Sequence, residues 1–216
     1  MKCLVTGGSG FIGSNLVDRL VDDGHEVLII DDHSTGKSEN INEKAKWYNH
    51  DISCMTDFSM FEGVDVVFHL AALARVQPSI EEPIEYHNVN VNGTLNMLKA
   101  SVDYGVKRFV FSSSSSVYGD VEEISLPTNE FAKLNPMSPY ALHKLIGEQY
   151  CKLFSDLYGL ETVSLRYFNV YGERQPIEGA YTLVMGVFAQ QMLNGEPMTI
   201  RGDGEQRRDF TYVGDV

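Results

Sequence analysis

Tyr140 and Lys144 are the two residues of this chain whose types and spacing best suit acid–base chemistry. They follow Ser138-Pro139 in the pattern Tyr-x-x-x-Lys, which predicts that both side chains lie on one face at the start of a helix. A free phenol has a pKa of about 10, so a tyrosine base at neutral pH needs its phenolate stabilised by ~4 kcal/mol. A neighbouring ammonium favours the phenolate. We therefore predict that Tyr140 is a base whose pKa Lys144 lowers, although a surface pair one helical turn apart has the same spacing.

A run of serines at residues 112–116 offers a third polar group. The run follows an apolar segment and precedes Val117-Tyr118-Gly119, which indicates the carboxyl end of a buried strand. Open α/β sheets bind their ligands at this edge of the sheet. We expect the Ser114 hydroxyl to share a short hydrogen bond with the reacting hydroxyl of a substrate.

Three glycines near the amino terminus predict a site for a dinucleotide pyrophosphate. Gly7, Gly10 and Gly13 follow an apolar strand and open a helix. In such a turn the first glycine allows the bend, the second lets the backbone approach the phosphates, and the third lets helix and strand pack closely. The helix amino terminus then presents free N–H groups to the anion. The spacing, Gly-x-x-Gly-x-x-Gly, departs from the stricter Gly-x-Gly-x-x-Gly pattern, and a turn without a ligand is the alternative.

Asp31 ends the second predicted strand and favours NAD over NADP. A carboxylate at this point accepts hydrogen bonds from the adenosine ribose and repels a 2′-phosphate. Lys37 is the nearby argument for NADP. Asp51-Ile52, after the third strand, is a weaker candidate for contact with the adenine ring. The alternative is that these acidic residues only terminate strands.

Strand-like and helix-like segments alternate along the chain. Strands are predicted at residues 2–6, 26–31, 47–50, 64–69, 108–113 and 161–166, and helices at 11–23, 84–104, 139–158 and 183–193. Such alternation predicts a Rossmann-type, doubly wound parallel sheet with helices on both faces. Beyond Tyr171, from about Gly179, the pattern loosens. We expect an NAD-binding domain at residues 1–170 and the beginning of a smaller, incomplete substrate-binding lobe at 171–216.

The composition narrows the class of protein. The formal net charge of -13 argues against a nucleic-acid partner, which needs a basic surface. No apolar run is long enough to cross a membrane, and the first strand begins at once, which leaves no room for a secretory signal. Three widely spaced cysteines fit reduced thiols in the cytoplasm. The histidines lack metal-ligand spacing, so no metal is predicted.

Five motifs in this order resemble the extended short-chain dehydrogenase/reductases, and among them the NAD-dependent nucleotide-sugar epimerases. They are residues 6–13, Asp31, and residues 112–119, 138–144 and 165–172. The resemblance implies that Tyr140 is the base, that Lys144 holds the nicotinamide ribose, and that Ser114 assists. It also implies two sets of binding residues. The NAD site would comprise Gly7, Gly10, Phe11, Ile12, Gly13, Asp31, Asp51, Ile52, Leu70, Ala71, Ala72, Asn90, Ser112, Tyr140, Lys144 and Phe168, and the UDP-sugar would meet Ser114, Tyr140, Asn169 and Arg208.

The reaction implied by this resemblance is 4-epimerisation of a UDP-hexose. Tyr140 would take the proton of the 4-hydroxyl while C4 passes a hydride to NAD, and the hydride would return to the other face of the turned 4-keto sugar. Related dehydratases and decarboxylases carry an acidic residue just before Val-Tyr-Gly, where this chain has Ser115-Ser116. Two alternatives stay open: an NAD-dependent reductase or dehydratase of another nucleotide sugar, and an NAD-binding protein or fragment without catalysis.

Two departures from the family pattern bear on the substrate. Ala74 stands where hexose epimerases have a lysine, for which Arg75 is a substitute, and the sequence ends at Val216, before the rest of the substrate lobe expected in this family. Arg174-Gln175 and residues 179–181 resemble epimerases of N-acetylated sugars. Glucose/galactose, their N-acetyl forms and the uronic acids all stay open. A homodimer, paired through helices 84–104 and 139–158, is expected from the resemblance.

Overall fold

A six-stranded parallel sheet forms the centre of the molecule. In the computed structural model, residues 1–121, 126–176, 184–200 and 202–216 are described. The strands lie in the order β3-β2-β1-β4-β5-β6, and every neighbouring pair is parallel. Their bounds are β1 Lys2–Thr6, β2 Glu26–Ile30, β3 Lys46–Tyr48, β4 Val66–His69, β5 Arg108–Ser114 and β6 Glu161–Tyr167. The predicted doubly wound α/β fold is confirmed.

Helices cover both faces of this sheet. They are α1 Phe11–Asp22, α2 Val76–Glu81, α3 Pro83–His87, α4 Thr94–Asp103, α5 Pro139–Tyr158 and α6 Val184–Leu193. Short 3-10 turns lie at Ser38–Asn40, Ser59–Phe61 and Ser115–Tyr118. Helix α5 begins at an N-cap, where the Ser138 hydroxyl accepts from the Ala141 N–H, with Pro139 in the first turn. It ends at Gly159, whose left-handed φ of 72° suits a residue without a Cβ.

Successive side chains of a strand point to opposite faces of the sheet, so the hydrophobic core is divided into one cluster on each face. Cys3 and Val5 of β1 pack with Val17 and Leu20 of α1, whereas Leu4 belongs to the larger cluster on the opposite face. That larger cluster includes Phe109 and Phe111 of β5 with Met97, Leu98, Cys151 and Phe154 from α4 and α5. Burial on both faces explains why β1 and β2 are apolar at nearly every position.

Element boundaries differ from the sequence predictions by one or two residues at several ends. The third strand begins at Lys46 and ends at Tyr48, and the fourth begins at Val66. Helix α2 was not predicted because it is short, contains Pro78 and has little apolar periodicity. The predicted helix at 183–193 is α6, whose described part begins at Val184; residues 177–183, which include Gly179, lie outside the described residues.

The single helix predicted at 84–104 is three consecutive helical segments. A π-helical stretch, Asn88–Gly93, separates α3 from α4. Gly93 packs closely against the Ile52 side chain, and a Cβ on Gly93 would lie 2.7 Å from Ile52 Cδ1. The Asn90 carbonyl accepts a hydrogen bond of 2.7 Å from the Thr94 hydroxyl. In this wider helical turn the Asn90 side chain faces the loop that follows β4.

A second, two-stranded sheet follows β6. Its strands, β7 Val170–Tyr171 and β8 Thr211–Tyr212, are parallel. The Asn169 side chain ties them further, because its amide donates to the Asp209 carbonyl at 2.8 Å. Among the described residues, no helix is both long enough and apolar enough to cross a membrane.

Candidate active site

The main cleft lies at the carboxyl edge of the sheet, where the strand order reverses. β1 pairs with β2 on one side and β4 on the other, so the loops after β1 and β4 diverge there and leave a crevice. The cleft has a volume of about 820 Å³. Fourteen of the predicted site residues line it: Gly7, Gly10, Phe11, Ile12, Gly13, Asp31, Asp51, Ile52, Leu70, Ala71, Ala72, Ser112, Tyr140 and Lys144.

The glycine turn is a cradle that side chains would fill. A Cβ on Gly13 would lie 2.0 Å from the Gly7 carbonyl oxygen, and one on Gly7 would lie 2.7 Å from the Ala71 nitrogen. Gly7 also has a left-handed φ of 73°. At Gly10 the sole close atom is the Gly7 oxygen at 3.2 Å, and the residue borders the cleft. The turn thus has the shape that an approaching pyrophosphate requires at the amino terminus of α1.

Asp31 lies at the far wall of the cleft, directly after β2. It is almost fully buried, and its two carboxylate oxygens accept backbone N–H groups from Ser9 at 2.9 Å and His33 at 2.8 Å. His33 adopts a left-handed φ of 58° to make this contact. The carboxylate is therefore fixed between the glycine turn and the loop after β2, and each oxygen keeps a further lone pair for a ribose hydroxyl.

A buried polar network shapes the opposite wall, the turn at Leu70-Ala71-Ala72. The Thr6 hydroxyl bonds His69 Nδ1 at 2.7 Å and accepts from the Ala71 N–H at 3.1 Å. His69 Nε2 meets the Thr94 hydroxyl at 2.9 Å. Burial lowers the pKa of His69 to about 3, so its imidazole is neutral at physiological pH.

Asn90 lies behind this wall and not in the lining of the cleft. Its amide accepts from the Leu73 N–H at 2.8 Å and donates to the Leu73 carbonyl at 2.9 Å. Both polar ends of this buried side chain are thus used to hold the turn after β4. The sequence did not predict this role, which depends on the π-helical turn.

Tyr140 and Lys144 lie on one face of α5, as their spacing predicts, with Lys144 buried and Tyr140 half-buried. The Lys144 ammonium donates to the Ser112 carbonyl at 2.7 Å and lies 5.0 Å from the centre of the Phe111 ring. The Tyr140 N–H donates to the Ser79 hydroxyl at 3.1 Å, which ties the start of α5 to α2. The surface alternative for this pair is wrong, since Lys144 is 5% exposed.

Burial is the largest influence on the pKa values of Tyr140 and Lys144. Burial raises the pKa of Tyr140, and a hydrogen bond with Ser114 acts against that rise. The Lys144 ammonium lies 5.9 Å from the centre of the Tyr140 ring and donates to the Ser112 carbonyl; that it lowers the pKa of the phenol together with a cationic nicotinamide stays a prediction. Burial lowers the pKa of Lys144 itself to about 8, so it is mostly protonated at neutral pH.

Ser114 is the last residue of β5 and sits beside Tyr140. Its hydroxyl accepts from the Ser116 N–H at 3.1 Å and from the Ser116 hydroxyl at 2.9 Å. These contacts make Ser114 the N-cap of the 3-10 turn Ser115–Tyr118. With two donors already bound, the Ser114 hydroxyl can direct its own proton at the phenol of Tyr140.

Five predicted residues are not part of the lining of the main cleft: Asn90 and Ser114, described above, and three residues that follow β6. Phe168 lines a second cleft of about 470 Å³ beside the end of β6. Asn169 is bonded to Asp209, and exposed Arg208 donates to the Arg207 carbonyl. Their assignment to cofactor and substrate stays a prediction. Lining residues that the sequence analysis did not assign include Pro78, Glu82, Glu85, Tyr86, Val89, Tyr167 and Gln175.

Three of these seven missed residues, Pro78, Glu85 and Tyr86, belong to the short helices α2 and α3. A buried threonine–histidine pair was also missed, although a polar residue within an apolar strand is a usable signal. In the described part of the chain, no group of three or more His, Cys, Asp or Glu side chains is placed to hold a metal.

Comparison with known proteins agrees with this geometry. Residues 3–216 match the model of the NAD dependent epimerase/dehydratase family. The chain belongs to this family. A putative UDP-glucose 4-epimerase of Methanocaldococcus jannaschii is 46% identical over 216 residues, which are 99% of this chain and 70% of that protein.

Solved structures of this epimerase/dehydratase family share the fold closely. A UDP-N-acetylglucosamine 4-epimerase from Methanobrevibacter ruminantium, in complex with UDP-N-acetylmuramic acid, superimposes with a TM-score of 0.94 at 44% identity, covering 98% of this chain and 69% of that one. A UDP-glucose 4-epimerase from Thermotoga maritima, with UDP-glucose, superimposes with a TM-score of 0.92 at 43% identity. The match covers 100% of this chain and 70% of that one. Because the family to which the chain belongs is NAD dependent, NAD is the cofactor of this protein. The glycine cradle and buried Asp31 fit a dinucleotide without a 2′-phosphate.

Proposed function

We propose that this protein catalyses the NAD-dependent 4-epimerisation of a UDP-hexose through a transient 4-keto sugar. The observation that carries the proposal is the placement of Tyr140 and Lys144. Both line the same cleft as the glycine turn and Asp31, and Ser114 bonds the phenol. A dinucleotide cradle and an acid–base pair in one cleft are what oxidation of a sugar hydroxyl requires.

The residues of the cleft divide the cofactor between them. The glycine turn and the amino terminus of α1 would hold the pyrophosphate, Asp31 the adenosine ribose, and Lys144 the nicotinamide ribose. Bound NAD would supply reversible hydride transfer with C4 of the sugar. The positive charge of its nicotinamide would also favour the Tyr140 phenolate. Asp51 and Ile52 border the cleft on the side of Asp31, where the adenine ring would lie.

Tyr140 and Ser114 move and hold the proton of the reaction. As C4 is oxidised, the phenolate of Tyr140 takes the proton of the 4-hydroxyl, and the Ser114 hydroxyl bonds the same sugar oxygen. The 4-keto sugar then turns over in the site. When C4 is reduced on its other face, Tyr140 returns the proton to the new hydroxyl. Tyr140 ends each cycle as it began, so no external base is consumed.

We propose the division into a cofactor domain, residues 1–170, and the start of a substrate lobe, residues 171–216. The small sheet of β7 and β8 begins at this boundary. Asn169 and Arg208 would meet the diphosphate of the UDP-sugar, for which an arginine offers paired donors. Phe168, in the intervening segment, would approach the nicotinamide from the side of the second cleft.

We also propose a cytoplasmic homodimer. Apolar side chains are exposed on the two helical segments expected to pair, including Ile84 at 77%, Leu142 at 46% and Leu153 at 46%. Such a stripe is unfavourable in water and favours association. Light scattering tests this: Leu153→Glu should give a monomer, whereas Leu193→Glu on α6 should leave the dimer intact.

The test of the proposed reaction uses the purified protein without added NAD. It is incubated with UDP-glucose, UDP-N-acetylglucosamine and UDP-glucuronate, and the 4-epimers are separated by chromatography. We expect one of these substrates to be epimerised, and Tyr140→Phe to abolish turnover while NAD stays bound. Tyr158→Phe, near the exposed end of the same helix, is the matched control and should be fully active.

Other outcomes point to the two alternatives. A net change in the oxidation state of the cofactor, or loss of water from the product, would favour a reductase or dehydratase. NAD binding without any turnover would reduce the proposal to a dinucleotide-binding protein. Normal turnover by Tyr140→Phe would refute the mechanism.

A further inference from the structure

An ion pair between Glu148 and Arg166 lies next to the catalytic groups without touching the main cleft. Arg166 Nε donates to Glu148 Oε1 at 2.9 Å and its Nη2 donates to Oε2 at 2.6 Å, so the pair is bidentate. Both side chains are mostly buried, with 18% of Arg166 and 11% of Glu148 exposed. Bidentate pairs of this kind fix distance and orientation together.

The pair joins four elements around Ser114. Glu148 is on α5, one turn after Lys144, and accepts from the Ser113 hydroxyl at the end of β5. Arg166 is on β6, and its Nη1 donates to the Tyr118 hydroxyl at 2.9 Å. Tyr118 belongs to the 3-10 turn that Ser114 caps.

Further contacts strengthen the connection to that turn. The Arg166 guanidinium lies 4.9 Å from the centre of the Tyr118 ring and donates to the Glu130 carbonyl at 3.1 Å. The hydrogen bonds with Glu148 and Tyr118 raise the pKa of Arg166, which keeps its guanidinium protonated. Arg166 therefore meets both neighbours of the Ser114 segment: the helix that carries Tyr140 and the turn that orients the serine.

We propose that Glu148 and Arg166 are positioning residues that hold the Ser114 hydroxyl against Tyr140. Lys144 bonds the Ser112 carbonyl and Glu148 bonds the Ser113 hydroxyl, so α5 is tied to the end of β5 at two successive residues. Ser114 is the next residue of that strand. Small displacements of a reacting group reduce rates strongly, since a misplacement of about 1 Å can cost on the order of 100-fold.

The test is a double-mutant cycle, and its activity arm rests on the proposed function. Glu148→Gln keeps the shape of the side chain and removes its charge. We expect kcat to fall by ~10-fold to ~100-fold, with KM changed little and NAD content unchanged. In a Ser114→Ala background, Glu148→Gln should cause little further loss, because a residue that acts through Ser114 has nothing left to position.

A matched control exists on the same two strands. Arg108 of β5 and Glu161 of β6 pair at the other end of the sheet, with Arg108 Nη2 donating to Glu161 Oε2 at 2.7 Å, and both are exposed. Glu161→Gln should leave kcat unchanged. Arg166→Lys is the second variant if Glu148→Gln folds poorly, because it retains the positive charge and loses the bidentate hydrogen bonds of the guanidinium. It should show the same loss of kcat.

A second readout does not depend on turnover. The Tyr140 ring signal, observed by NMR in protein with labelled tyrosine and assigned with Tyr140→Phe, should shift when Ser114→Ala removes its hydrogen bond. Glu148→Gln should produce a shift in the same direction, and Glu161→Gln should not. Tyr86 and Lys144 also face this ring and are intact in all these variants.

The outcomes separate the two proposals. If the unmodified protein epimerises no UDP-sugar, the proposed reaction fails, and the NMR arm still tests the positioning. An unchanged Tyr140 signal in Glu148→Gln would overturn the positioning role. The positioning role would also be overturned if Glu148→Gln lowered kcat by the same factor in the unmodified protein and in the Ser114→Ala background. That result would indicate a general structural contribution.

Discussion

Replacement of Lys144 by methionine should stabilise the folded protein at neutral pH while abolishing epimerisation. The ammonium is fully buried, and burial lowers its pKa from 10.5 to about 8. A folded-state pKa below that of the unfolded chain means that the charge is carried into the fold at a cost. Methionine has a similar length and no charge, so it removes that cost and keeps most of the packing against Phe111.

The magnitude follows from the two pKa values of Lys144. At pH 7 the lysine is charged in both states, and the difference corresponds to about 3 kcal/mol of destabilisation. Loss of the 2.7 Å hydrogen bond to the Ser112 carbonyl offsets about 1 kcal/mol of the gain. The net expectation is that the variant is more stable by ~2 kcal/mol at pH 7.

The pH dependence gives the sharper check. Between pH 8 and 10.5 the unfolded chain binds the lysine proton more often than the folded protein, so the stability of the unmodified protein rises with pH. At pH 9.5 the remaining destabilisation is about 1.5 kcal/mol, close to the value of the lost hydrogen bond. The advantage of the methionine variant should therefore nearly vanish.

Urea unfolding of protein freed of dinucleotide, at pH 7 and pH 9.5, measures this difference. Lys152→Met is the matched control, because Lys152 is exposed on the same helix and pairs with Asp156 at its surface. It should change stability by less than ~0.5 kcal/mol at both pH values. A Lys144→Met protein less stable than the unmodified protein at pH 7, or a stability difference independent of pH, would refute the reasoning.

Three further predictions concern the walls of the cleft. Gly13→Ala should destabilise the fold by at least ~2 kcal/mol and release NAD, because the new Cβ would lie 2.0 Å from the Gly7 oxygen; urea unfolding and cofactor absorbance measure both. Asp31→Asn should weaken NAD binding and narrow its preference over NADP, since the repelling charge is removed; fluorescence titration with each dinucleotide measures the ratio. Asn90→Ala should raise the Kd for NAD and lower stability by ~2 kcal/mol, because both backbone groups of half-buried Leu73 lose their partner.

Each of these has a contrasting outcome. Gly10→Ala is the control for Gly13→Ala, because its Cβ would lie 3.2 Å from the Gly7 oxygen, a tight contact that needs a shift of only a few tenths of an ångström; equal stability losses would contradict the steric argument. An Asp31→Asn protein that still rejects NADP as strongly would show that another group excludes the 2′-phosphate. Unchanged NAD affinity in Asn90→Ala would show that the turn after β4 holds its shape unaided.

The sequence determined the fold because its signals are local. Apolar strands alternate with helical periodicity, and each feature is set by residues within one or two turns of each other. The glycine turn and the Tyr-x-x-x-Lys spacing are of the same kind, so the sequence predicted that they begin helices. Parallel strands end at one edge, which is why these separate motifs could be expected to meet there.

Tertiary structure decided the contacts between residues distant in the chain. His69 bonds Thr6, which is 63 positions away in the chain, and Arg166 bonds Glu148, which is 18 positions away. Strand order and helix packing bring these residues together. The π-helical stretch within the helix predicted at 84–104 ends at Gly93, which lies close to Ile52, a residue distant in the chain that no local pattern places there.

Tertiary structure also decided the electrostatics of the site. The spacing predicted that Tyr140 and Lys144 share a helix face, and the fold turns the buried Lys144 ammonium towards the Ser112 carbonyl while Tyr140 is half-buried. Desolvation then dominates: it raises the pKa of the phenol and lowers that of the amine. The sequence determined which groups share a helix face, and burial, a property of the whole packed molecule, determined how readily each of them carries charge.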